Sequence, residues 1–189
     1  MASSTQKKTT KKSGGRSAKG RQPQKRPVRR EVGGVALLVL ALCVLVSCFG
    51  VPAVLTDLLA KLLKGLLGYG YWLTAPALVL AGVILLFHRG RPVALRTACA
   101  LLAPLTAGCL CHTVLAAGKF PLEGAVVKEL WTAGEALRSG GVLAGLLAEG
   151  AAVAVSKYVS GVLFAVLTAV LVLAALHVTP AAIVEKFRS

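Results

Sequence analysis

Acidic residues are scarce in this sequence. Its 189 residues include 7 Asp and Glu against 22 Lys and Arg, and eleven of those cations precede Glu31. The basic excess therefore describes an N-terminal arm, and the remainder is close to neutral. That arm, Met1 to Arg30, also has no aromatic residue, which removes the stacking half of a single-strand nucleic-acid binder. The chain contains no G-x-x-x-x-G-K-[ST] phosphate loop. No Ser/His/Asp or Cys/His set has the makings of a nucleophilic site. Charge is missing from two long stretches, Gly65 to Phe87 and Thr97 to Gly118. These absences argue against an enzyme. A carrier would place ionisable residues inside its spans, and those runs hold only His112, with His177 near the end of another.

What is present is apolar. Hydrophobic residues make up 56% of the chain, and the mean hydropathy is +0.76. A soluble domain rarely carries so much. The chain reads as an all-α membrane protein: four transmembrane helices, interfacial or re-entrant helices, and a disordered basic tail. The expected spans are 32–54, 71–87, 97–117 and 159–178. A run of ~20 residues rising ~1.5 Å each crosses a hydrocarbon core of ~30 Å.

The pair of runs from Tyr71 to Ala117 orients the rest. Between them lies His88-Arg89-Gly90-Arg91-Pro92-Val93-Ala94-Leu95-Arg96. Arg89, Arg91 and Arg96 should hold this loop on the cytoplasmic side, as Arg29 and Arg30 hold the start of span one. With both termini inside, the tail, this loop and the C-terminal segment hold eleven, three and two Lys or Arg, against six outside. The tail itself lacks the apolar residues to offset ordering entropy. It attracts anionic headgroups or contacts nucleic-acid phosphates without sequence preference; the two roles are compatible.

The connecting segments are also patterned. From Val54 to Leu67, seven leucines recur at helical spacing, with Asp57, Lys61 and Lys64 on the other face and Thr56 as a candidate cap. This predicts an amphipathic helix lying on the outer surface. Leu130 and Trp131 mark a second short interfacial helix within 118–139. The stretch Ser139 to Ala151 is rich in small residues, and Gly141 and Gly145 have GxxxG spacing. Crossing the bilayer would leave Glu149 deep in it, at about 2.5–3.5 kcal/mol, so a buried or re-entrant outer helix is the expectation. Were it to span, the C-terminus would lie outside.

Five cysteines, Cys43, Cys48, Cys99, Cys109 and Cys111, all fall in apolar runs and read as small packing residues. Cys109-Leu110-Cys111-His112 fails as a metal site because residues two apart on a helix point to nearly opposite sides. Leu45-Val46-Ser47-Cys48 matches a lipobox, but a ~30-residue polar region precedes its apolar run, long for a signal peptide. Glu129 and Glu135 fall on different helix faces, which counts against a paired-carboxylate site.

The order of motifs resembles a known family. A basic tail leads to Glu31-Val32-Gly33-Gly34 at span one and then to an amphipathic linker. Leu67-Gly68-Tyr69-Gly70-Tyr71-Trp72-Leu73 leads to Pro76, and Ser139-Gly140-Gly141 through Gly150-Ala151 precedes the last span. This is similar to the four-helix N-terminal membrane domain of the FtsK/SpoIIIE DNA translocases, over about Arg30 to Val178. The resemblance implies a bacterial inner-membrane protein at the division septum, assembled as a hexamer with cell-division proteins as partners. It would anchor an ATP-driven motor that pumps double-stranded DNA. The motor of that family lies C-terminal, beyond a linker that 179–189 would begin, so ATP and Mg²⁺ are expected only there and this chain needs no cofactor. The chain would then be a fragment, a truncated frame or a stand-alone membrane domain. Gly33, Gly34, Gly141, Gly145 and Gly150 are candidate helix-packing positions, available for subunits to meet side by side. The rival readings are a small transporter or channel subunit, built on Glu149 and Lys157, and a stand-alone septal assembly protein.

Overall fold

The computed structural model describes residues 28–50, 53–87, 93–116, 120 and 124–176. Residues 1–27 of the basic tail, Pro52, Arg89, Arg91, Lys119, His177 and the start of the linker fall outside them, and so does the side chain of Arg29, while residues 28–30 of the expected tail open α1. The described residues form seven α-helices and a 3₁₀ turn, and no strand: α1 (Val28–Cys48), α2 (Val54–Leu67), the turn Gly68–Gly70, α3 (Tyr71–Phe87), α4 (Val93–Leu115), α5 (Val126–Glu135), α6 (Gly141–Val155) and α7 (Lys157–Leu176). Four stretches are long and apolar enough to cross a membrane: Arg30–Cys48, Val54–Phe87, Val93–Leu115 and Lys157–Leu176. The protein is a multi-pass membrane protein.

Helices α1, α3, α4 and α7 pack side by side and alternate in direction. Gly34 near the start of α1 faces Leu86 and Gly82 near the end of α3, while Cys48 at the end of α1 donates its thiol to Tyr71 at the start of α3 (3.4 Å). Ala81 and Ala100 share one core cluster across α3 and α4. Cys109 and Phe164 share another across α4 and α7. At one end of this bundle lie the starts of α1 and α4 and the ends of α3 and α7. At the other lie α2, α5 and α6.

The second stretch is 34 residues, or about 51 Å as one helix, far more than a bilayer needs. It does not run straight. Gly68 adopts φ 49°, ψ −118°, a conformation costly for any residue with a side chain, and the chain re-enters as α3. Helix α6 is 15 residues, about 22 Å, too short to cross. It packs on α4, α7, α2 and α5.

Several expected boundaries shift. Helix α1 starts at Val28 and stops at Cys48, where 32–54 was expected for span one, and Gly50 follows it at φ 72°. Helix α4 begins at Val93 and ends at Leu115, and α7 is Lys157–Leu176. Thr56 is not the cap of α2. The cap position is Ala53, and Thr56 donates its hydroxyl back to the Ala53 carbonyl at 2.9 Å. The leucines of α2 do not share one fate either. Leu59 and Leu63 pack on the core formed by Ala41, Val44, Ala60, Tyr71 and Leu78, whereas Leu55, Leu58 and Leu62 are exposed.

Candidate functional site: a glycine crossing and a buried polar pair

Two glycine motifs far apart in sequence meet at the end of the bundle that carries α2, α5 and α6. The turn Gly68-Tyr69-Gly70 lies against Ser139-Gly140-Gly141, and Tyr69 N–H donates to the Ser139 carbonyl at 3.2 Å. Side chains are excluded by geometry. A Cβ on Gly68 would stand 1.9 Å from the Ser139 carbonyl oxygen, and one on Gly70 would stand 2.3 Å from that of Pro104. Gly141 carries φ 74°, with Gly65 O and Leu66 C inside 3 Å of a Cβ. Backbones at such range require glycine. Ser139 closes the joint from within: it is fully buried, and its hydroxyl donates to Leu130 O (3.4 Å) and accepts from Gly141 N–H (3.1 Å).

His112 sits beside this crossing, 2% exposed. Gly140 N–H donates to its Nδ1 at 3.0 Å. A donor on that side fixes the tautomer: Nδ1 offers its lone pair, and the ring proton lies on Nε2. Nε2 is 3.1 Å from Glu149 Oε1, so it donates to the carboxylate. The pair joins α4 to α6 three residues before α4 ends, ~4.5 Å from the helix terminus. The partner of His112 is on the short helix, and Glu149 is paired near one end of the bundle. Lys157, with Thr113, Ala116, Ala148 and Ala152, completes a small cavity beside the pair.

At the opposite end Arg96 was expected in a loop, as a charge that sets sidedness. It lies instead within the first turn of α4, 8% exposed. Its Nε and Nη2 donate to the Ala175 carbonyl at the end of α7, at 3.2 and 3.0 Å. A guanidinium there satisfies an orphan carbonyl and opposes the negative end of the helix dipole.

The remaining candidate positions divide. Gly34 is a close approach within the chain, 2.8 Å from Leu86 Cγ for an added Cβ. Gly145 receives Leu130 of α5 at 2.7 Å. Gly141 and Gly145 thus do not form one stripe, because positive φ at Gly141 takes it out of regular helix geometry. Gly33 and Gly150 have nothing within 4 Å. Arg30 lies in the first turn of α1. All five cysteines are free. Among the described residues, no group of three or more His, Cys, Asp or Glu could hold a metal ion.

Compared with family models, curated proteins and solved structures, the chain matches none.

Proposed function

We propose that this chain is the membrane-anchoring domain of a bacterial DNA translocase of the FtsK/SpoIIIE kind, acting in chromosome segregation and cell division. The reading places it in the inner membrane, possessing both termini in the cytoplasm and working at the septum as a hexamer among cell-division proteins. The motor, its ATP and Mg²⁺, and its grip on double-stranded DNA belong to sequence outside this chain. The basic tail adds a weaker, non-specific hold on lipid or DNA.

One observation carries the reading beyond composition. Two of the motifs on which the resemblance rests, Leu67 to Leu73 and the start of the one opening at Ser139-Gly140-Gly141, form a single joint with no room for a side chain at Gly68. Their order and spacing are therefore tied to one another physically. The mechanics also suit an anchor. Several spans resist extraction far better than a surface helix, and Arg96 ties the end of α7, where a C-terminal load would enter, back to α4. The test is the mass of the native protein in its own membranes, detected with an antibody against Met1–Arg30. A band far above 19.4 kDa supports an anchor with its own motor. A band near 19 kDa sinks that form and leaves septal assembly.

A second reading, a small transporter or channel subunit, draws on the His112–Glu149 pair and Lys157 beside their cavity. Loss of ion or solute flux in vesicles on Glu149→Gln would favour it.

A further inference from the structure

The face where α4 and α7 meet carries an open groove of about 540 Å³. Its walls are Leu110, Thr113 and Val114 on one side and Gly161, Val162 and Ala165 on the other. Small residues create it: a Cβ on Gly161 would meet only Thr113 Oγ1, at 3.5 Å. The groove is mainly apolar. The Thr113 hydroxyl is already engaged, donating to the Leu110 carbonyl at 2.8 Å. One end opens at Lys157 and Tyr158, the first two residues of α7, both exposed. The groove thus runs from a cation and a phenol down eight residues of helix, about 12 Å, to Ala165.

We propose that this groove holds one acyl chain of an anionic phospholipid, with the phosphate at Lys157. The charge pattern selects the headgroup. Lys157 makes no ion pair among the described residues; Glu149, hydrogen-bonded to His112, lines the small cavity on its other side. Tyr158 is an interfacial residue with an apolar ring and a wet hydroxyl. The size selects the chain. The acyl chain of one leaflet, about 15 Å by half of a ~30 Å hydrocarbon core, can lie along the groove with its end beyond Ala165, beside the hydrocarbon that the exposed face of α7 already meets. The inference rests on the multi-pass reading alone and is independent of any motor.

The test uses the whole chain, purified in detergent, with phosphatidylglycerol or phosphatidylcholine carrying a photoreactive acyl chain. Peptide mapping separates the groove from headgroup binding by the basic tail. Cross-links should fall on 110–114 and 158–165, and phosphatidylglycerol should label there about five-fold more than phosphatidylcholine, the effect of one interfacial cation. Lys157→Gln should remove that preference without changing helicity. Gly161→Leu should cut labelling by both lipids several-fold. Equal labelling by the two lipids in the wild type overturns the proposal, as does a preference that survives Lys157→Gln. If Gly161→Leu changes the oligomeric state and leaves lipid labelling intact, the groove belongs to a second copy, which also overturns it.

Discussion

Helices α4 and α7 lie side by side, yet they are built on opposite terms. Of the most apolar window in each span, 56% is buried within the protein for Val93–Leu115 and 11% for Lys157–Leu176. The more apolar helix is the less buried one. The same holds for the other pair, where Arg30–Cys48 is 17% buried and Val54–Phe87 is 44% buried. Lipid is the solvent here, so apolar side chains gain nothing by turning inward, and packing selects small and polar residues instead. Helix α4 shows the result: its buried positions include Ala100, Ala103, Pro104, Thr106, Gly108, Cys109, His112 and Arg96. Helix α7 buries Ser160, Phe164 and Ala175 and leaves most of its Val and Leu outward, with Leu171 packing on the Ala81, Cys99 and Ala100 core.

If that contrast is correct, substitutions should be graded by what the backbone or polar group meets, and not by hydrophobicity. The largest effect belongs to Gly68→Ala, which forces a Cβ onto a carbonyl oxygen at positive φ. It should cost about 3 kcal/mol or more, read as loss of the monodisperse folded protein in detergent. His112→Ala comes next. It strands the Gly140 N–H and leaves Glu149 without its donor, a loss of roughly 2–3 kcal/mol, measurable by thermal unfolding. A His112→Ala protein as stable as wild type would show that the pair contributes nothing to the fold. Arg96→Ala removes both bonds to the Ala175 carbonyl and should cost about 1.5–3 kcal/mol. Amide exchange should accelerate in the last turn of α7 and not in its first. The smallest effects belong to Gly33→Ala and Gly150→Ala, where the space is open. These should lie within about 1 kcal/mol, on the stabilising side by helix propensity. For self-association Gly33 is the better probe, because Gly145→Leu would strike Leu130 inside the chain before reaching any neighbour.

Much of the bundle was legible because its signals are local. Charge-free runs mark the spans, leucines at helical spacing mark α2, and Glu149 with Lys157 argues against a fifth crossing. The joints were not legible. Arg96 and Ala175 are 79 residues apart, and His112 and Glu149 are 37 apart; no periodicity links them. His112 did stand out as an ionisable residue in an uncharged run, and such a residue calls for a partner, but the partner's identity is a tertiary fact. Glycine spacing misled in the same way. Gly141 and Gly145 look like one stripe, and only backbone conformation separates a joint at Gly141 from a leucine seat at Gly145.

The central claim is an even number of crossings, with the start of α1 and the end of α7 on one side of the membrane. Single cysteines at Ser13, Ser156 and Ser189, in a chain whose five native cysteines are replaced, can be labelled in intact cells with an impermeant maleimide. Labelling from outside at Ser156→Cys alone, with Ser13→Cys and Ser189→Cys reached only after lysis, is the predicted result. External labelling of Ser189→Cys with Ser13→Cys protected would mean an odd number of crossings, with α6 spanning after all, and would contradict the account.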